Sequence, residues 1–337
     1  MLAGKNKLVF LFLAALVLMY SCKVKQENFS HPYTQIKTLP GPEDMVLDTV
    51  GNHPRMIIAC ASRRDNEMFQ SGIQMLDIKT DSVSQFPISN FPDSMSFNPH
   101  GIDLGFYKGE KILWVINHED KKNRQSVIRL RLEQTQAVFD TVFIHPGIIS
   151  PNDICDGGNG TFYFTNDASG RKSGFELLFK IRGGSIVYYN GRQFEAFSKK
   201  FSYPNGIIKF KDNLYFSTSR QNKIFKISLN PDGSMKKDSV SLVVKGSMWD
   251  NFSISGNHLI CTSHTHPLKF LKHRNHEKHD SPCQVYSVNP VTNTKGIVYH
   301  SDGEAISAGS TAIYYNGFLY ICQVFDPYIL KVNLHNY

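Results

Sequence analysis

Asn98-Pro99-His100-Gly101-Ile102 is one of six versions of a short phrase in this 337-residue chain. The others are Gly41-Pro42-Glu43-Asp44-Met45, Ser150-Pro151-Asn152-Asp153-Ile154, Tyr203-Pro204-Asn205-Gly206-Ile207, Trp249-Asp250-Asn251-Phe252-Ser253 and Ala308-Gly309-Ser310-Thr311-Ala312. A repeat of about 50 residues is the mark of a chain built from one supersecondary unit copied many times. It also allows residues far apart in sequence to share one site.

The segment after each phrase repeats as well. A turn of Gly, Asn or Asp comes about ten residues on and leads into a strand. These second strands read as Met56–Cys60, Lys111–Asn117, Thr161–Asn166, Asn213–Ser219, His258–His264 and Phe318–Val324. Third strands read as Gly72–Ile78, Ser126–Glu133, Phe175–Ile181, Asn222–Leu229, Cys283–Asn289 and Tyr328–Asn333. Weaker fourth strands read as Val83–Ile88, Val138–Ile144, Ser185–Phe197, Lys237–Val244 and Lys295–His300. The sixth unit reaches the end of the chain without one. Tyr33–Leu39, ahead of the first phrase, is the expected substitute, stitching the two ends of the chain together. The pattern predicts an all-β, six-bladed β-propeller over residues 33–337, with a period of two rather than 3.6.

Residues 1–21 form a separate object. Lys5 and Lys7 precede a Leu-rich run from Leu8 to Met19, and Tyr20-Ser21-Cys22 comes next. The run is short for a membrane span. It resembles a bacterial lipoprotein signal with Cys22 as the lipidated residue, and residues 22–32 read as a polar tether. A plain secretory signal or an uncleaved anchor is the alternative. All three export the domain, and the first would hold it at a membrane. The net charge of +8 falls to +6 once the two lysines of the signal are removed. That excess is spread along the chain, and no nucleic-acid module is evident. Five cysteines besides Cys22 have no zinc spacing and sit mostly in apolar strands.

In a propeller the first strands of all blades line a central channel. The six phrases therefore bring Glu43, Asp44, Asn98, His100, Asn152, Asp153, Asn205, Asp250 and Asn251 toward one axis. Carboxylates and amides are hard oxygen donors, and calcium takes roughly six to eight of them. Zinc prefers nitrogen and sulfur. Adjacent donors such as Glu43-Asp44 and Asn152-Asp153 would face opposite ways along a strand, which points to two stacked ions.

The residues at this stage match a known group. Ser96-Phe97-Asn98-Pro99-His100-Gly101-Ile102 is the most specific piece. Val115-Ile116-Asn117-His118, Pro151-Asn152-Asp153-Ile154, Phe164-Thr165-Asn166-Asp167, Asp250-Asn251 and Gly309-Ser310-Thr311 come after it in order. The chain resembles the serum paraoxonase/arylesterase family of calcium-dependent lactonases from about residue 40 to 335. The resemblance implies a catalytic calcium on Glu43, Asn152, Asn205, Asp250 and Asn251. It implies a structural calcium on Asp44, Asp153 and the backbone carbonyl of Ile102. Its histidine pair falls on His100 and His118, and a further pocket histidine on His264. His100 is the expected general base, with Glu43 or Asp250 as alternatives. The substrate would be a small lactone or aryl ester. A non-catalytic calcium-stabilised propeller that binds a ligand or partner stays open beside this reading.

Departures from the family set further expectations. The last strand lacks the family's ring-closing cysteine, so closure must rest on strand pairing. The stretch after Asn166-Asp167 is polar and basic where the family has a lid, which lowers the expected preference for greasy lactones. His273, His276 and His279 read as part of a charged, solvated loop.

Overall fold

A computed structural model of the chain describes residues 31–49, 53–64, 71–119, 124–170 and 182–334. The export signal and Cys22 lie outside these residues. Six sheets, antiparallel but for one short outer strand, make up the described domain, as the repeat predicts. Their first strands are Pro42–Asp48, Pro99–Tyr107, Pro151–Gly158, Pro204–Phe210, Met248–Ser255 and Gly309–Tyr315. Each touches the next around the circle, and the last touches the first.

Apolar side chains fill every seam between blades. Ile57, Ile73 and Phe86 of blade 1 meet Leu113, Val115 and Leu130 of blade 2. The remaining neighbours share equivalent clusters, and the sixth unites blades 6 and 1 through Ile36, Met45, Ile58, Ile313 and Tyr320. A sheet buried on both faces by its neighbours explains why the second strands read as unbroken apolar runs. Cys60, Cys155, Cys261, Cys283 and Cys322 are all buried free thiols in this core.

The ring closes as expected. Tyr33–Lys37 pairs antiparallel with Tyr328–Asn333, with Ile36 opposite Ile329. No disulfide is needed, because the strand contributes both its ladder and a buried isoleucine.

Three details differ from the sequence reading. Ser185–Phe197, read as one strand, is a hairpin of Ser185–Tyr189 and Phe194–Ala196. Asn190-Gly191 makes its turn, with Gly191 at φ +92°, a left-handed value glycine adopts freely. The expected strand Phe175–Ile181 lies outside the described residues. Blade 2 gains a short outer strand, Ile88–Ser89, parallel to Ala137–Phe143.

The third difference is helical. Pro267–Asn275 forms a helix, here α1, where a solvated loop was expected. Proline at its start supplies the preset φ of a first turn. His273 is fully buried in it, while His276 and His279 are exposed, so the three histidines share no environment. His273 Nε2 lies 3.2 Å from Asp326 Oδ2, and Arg64 donates to Asp326 Oδ1 at 2.7 Å. These contacts, and Phe270 against Phe325, fasten α1 to the last blade.

Candidate active site

All six first strands carry a register break at the same place. The breaks fall between Pro42 and Asp44, Pro99 and Ile102, Pro151 and Ile154, Pro204 and Ile207, Trp249 and Phe252, and Gly309 and Ala312. A bulge lets two residues oppose one on the partner strand and re-aims their side chains. The strict alternation assumed from sequence is therefore suspended at the six phrases. Two adjacent residues per blade depart from it.

Aligned on this break, Glu43, His100, Asn152, Asn205, Asp250 and Ser310 form one ring of equivalent positions. Asp44, Gly101, Asp153, Gly206, Asn251 and Thr311 form the next. The two glycines sit where neighbouring blades approach closely. A Cβ on Gly101 would stand 2.6 Å from the Asp153 backbone, and one on Gly206 would stand 2.5 Å from the Asp250 carbonyl oxygen. Tyr203 and Ala308, each two residues ahead of a first-ring position, hold left-handed φ values of 55° and 51°. Strain of this kind persists only where the surroundings enforce it.

The first ring surrounds a cavity of about 260 Å³. Glu43, His100, Asn152, Asn205 and Asp250 line it, with Phe270, Leu271 and Phe325 forming an apolar wall. Glu43 Oε1 accepts hydrogen bonds from Ser310 Oγ at 2.7 Å and Asn251 Nδ2 at 3.3 Å. His264 Nε2 lies 2.8 Å from Asp250 Oδ2. Both partners are buried, so His264 belongs to the site, whereas its neighbour His266 is exposed.

Four oxygens are left over. Glu43 Oε2, Asn152 Oδ1, Asn205 Oδ1 and Asn251 Oδ1 are buried without a hydrogen-bond partner. Folded proteins leave few such atoms, because each forfeits its hydration. Here they come from four different blades. Among the described residues no three His, Cys, Asp or Glu side chains group in metal-binding geometry. The convergent set is instead a mixture of carboxylate and amide oxygens, which fits a hard cation such as calcium. Burial, and then the charge of Asp250, pushes the Glu43 carboxyl up to about 7. An unmatched buried negative charge behaves in this way.

The second ring's carboxylates serve as bolts between blades. Asp44 of blade 1 accepts the Ile102 N–H of blade 2 at 2.7 Å and the Thr311 hydroxyl of blade 6 at 2.7 Å. Asp153 of blade 3 accepts the Ile207 N–H of blade 4 at 2.7 Å. Burial raises both carboxyls well above the ordinary range. Glu43 adds to the effect on Asp44, and Asp44 adds to it on Asp153.

His100 and His118 meet directly. His118 Nε2 lies 2.9 Å from His100 Nδ1, and His118 Nδ1 faces the Gln125 side-chain oxygen. His118 thus lies within the strand Glu110–Glu119 and not on a surface turn. The Gln125 oxygen can only accept, so His118 Nδ1 carries the proton and Nε2 is bare. His100 must then donate from Nδ1, which leaves a lone pair on its Nε2. That atom is 3.5 Å from Glu43 Oε2. Burial first, then Arg63 and His118, hold the His100 pKa well below its ordinary value.

Sequence reasoning gave no role to Ser310, Thr311 or Gln125. The first two were visible as members of the sixth phrase. Gln125 had no signal, because its contact with His118 depends on strand pairing within blade 2.

Comparison with known proteins agrees with this architecture. Human serum paraoxonase/lactonase 3 is 26% identical over 250 residues, covering 71% of this chain and 69% of the human protein. Chicken serum paraoxonase/arylesterase 2 is 24% identical over 263 residues, covering 74% and 73%. Among solved structures, a calcium-binding regucalcin from Agrobacterium tumefaciens superposes with a TM-score of 0.58 at 9% identity, covering 90% of this chain and 95% of its own. That likeness speaks for the fold alone. The arylesterase family model matches residues 52–330, nearly the whole propeller, and the chain belongs to the arylesterase family.

Proposed function

We propose that this protein is a calcium-dependent hydrolase of lactones or aryl esters. The observation that carries the reading is the set of four unpartnered buried oxygens, three of them from residues lining a cavity that a bare histidine nitrogen edges. Glu43, Asn152, Asn205, Asp250 and Asn251 would hold one calcium. Asp44, Asp153 and the Ile102 carbonyl would hold a second, structural one. Calcium, when bound, supplies a Lewis acid that polarises the carbonyl and steadies negative charge on its oxygen.

The chain's own groups supply the rest. His100 Nε2 takes a proton from the attacking water. His118 receives the His100 Nδ1–H and fixes the tautomer, and Gln125 in turn orients His118. His264 holds the Asp250 carboxylate in one orientation. The apolar wall of Phe270, Leu271 and Phe325 excludes bulk water from the carbonyl. Glu43 stays the competing base, since its Oε2 lies beside the same nitrogen.

Export through residues 1–21 and a lipid on Cys22 belong to the same proposal. They rest on the apolar run Leu8 to Met19 and the cysteine after it. Incorporation of labelled palmitate, lost in Cys22→Ala, tests the anchor.

The activity is tested with phenyl acetate and a lactone panel, with and without chelator. Turnover that disappears with chelator supports the reading. No turnover by calcium-loaded protein would leave a ligand-binding propeller in its place.

A further inference from the structure

Three guanidinium groups line the same cavity: Arg63 from the loop after the second strand of blade 1, Arg220 from the corresponding loop of blade 4, and Arg274 from α1. Among the described residues only two carboxylates, Glu43 and Asp250, line it with them. The histidines aside, one positive charge is left over, and a bound divalent cation would raise that excess to three. Arg63 has a structural task, donating from Nη2 to the Pro99 carbonyl at 2.9 Å. No ion pair is formed by Arg220 or Arg274 among the described residues. Arg220 is nevertheless half-buried, and Arg274 stands on the helix that walls the cavity. A half-buried guanidinium without a counter-ion is costly in a protein interior unless something else meets it.

We propose that the cavity selects lactones or esters that carry a second, ionised acid group, a carboxylate or a phosphate, and that Arg220 and Arg274 bind it. The inference rests on the hydrolase reading and adds the substrate class to it. The division of labour is spatial. The oxygen rings and His100 address the scissile carbonyl. The two arginines, on loop and helix above the strand ends, address a distal anion. Guanidinium suits that task because its planar donors match carboxylate and phosphate oxygens in pairs. The apolar surface between them, from Met248, Phe270 and Phe325, fits the carbon skeleton joining the two polar ends.

The test compares 4-acetoxybenzoate with its uncharged counterpart 4-acetoxybenzamide, which shares the leaving-group skeleton. 4-Acetoxyphenyl phosphate serves as a second anionic arm. Calcium-loaded wild type should favour at least one anion over the amide by about tenfold or more in kcat/KM, the size of one charge-assisted hydrogen bond. The preferred anion tells carboxylate from phosphate. In the Arg220→Gln, Arg274→Gln double variant that ratio should fall to about twofold or less, and rising salt should lower it in wild type. Calorimetric titration with 4-hydroxybenzoate should show about tenfold weaker binding to the double variant.

Equal kcat/KM for charged and uncharged esters, or titrations that the double substitution leaves unchanged, would overturn the proposal. Turnover of none of the three esters overturns the hydrolase reading instead, and the anion site then stands or falls on the titration alone.

Discussion

Ser310 donates a 2.7 Å hydrogen bond from Oγ to Glu43 Oε1 across the seam between the last blade and the first, although 267 residues separate them in the chain. Ring closure and site assembly are therefore one event. The strand Tyr33–Lys37 that completes blade 6 also fixes the distance between these two phrases.

Ser310→Ala should therefore affect both stability and the site. Glu43 Oε1 keeps only the longer bond from Asn251. Loss of a buried hydrogen bond to a carboxylate costs about 1.5–3 kcal/mol. Calcium affinity should also fall, because Glu43 gains freedom to turn. Denaturant unfolding and calcium titration of the variant measure the two effects separately.

Asp153 tests whether the second ring bolts blades or holds an ion. Asp153→Ala removes the acceptor for the Ile207 N–H, so the variant should lose about 2–4 kcal/mol even in chelator. Asp153→Asn keeps one acceptor oxygen. It should stay close to wild type in chelator yet lose most of the calcium-dependent rise in Tm, since an ion stabilises only the state that binds it. Scanning calorimetry with and without calcium reads both. A full calcium response in Asp153→Asn would remove this residue from the ion's ligands.

The raised carboxyls set a pH dependence for the calcium-free protein. Folded Glu43 holds its proton up to about pH 7, against an ordinary value of 4.5. Asp44 and Asp153 shift in the same direction. In that window the folded state binds more protons than the unfolded one, so stability falls as pH rises. In chelator, Tm should decline from about pH 5 to pH 8. Saturating calcium should abolish or reverse the slope, because the carboxyls are then ionised in the folded state. Parallel curves in both conditions would contradict the assignment.

His100→Gln should lower kcat by about 10²–10⁴-fold, the usual contribution of a positioned base. Gln125→Leu should cost less, about 10–100-fold, because it only releases the tautomer of His118. Its acidic pH-rate limb should also move, which a merely structural defect would not produce. Turnover by His100→Gln at the wild-type rate would pass the base role to Glu43.

The sixfold phrase made the blades, the closing strand and the first ring legible. Pro42, Pro99, Pro151 and Pro204 mark the strand starts, and Glu43, Asn152, Asn205 and Asp250 stand in phase with them. The bulges were not legible as such. Alternation is the rule for a regular strand, and the break appears only in the pairing of each first strand with its neighbour. The helix at Pro267–Asn275 was hidden by its charges, because Lys269 and Lys272 are exposed along it and only His273 is buried. Arg220 and Arg274 escaped notice for a related reason. Arg220 lies in the short loop between two strands of blade 4 and Arg274 on the helix inserted into blade 5, and neither belongs to the six phrases.

The central claim is that donors from separate blades hold a calcium ion on which ester hydrolysis depends. Its most direct test is phenyl acetate hydrolysis by chelator-treated protein as calcium chloride is added back. The rate should rise from the uncatalysed background to saturation in wild type and stay at background in Asn205→Ala. A rate that neither chelation nor added calcium changes would contradict the claim.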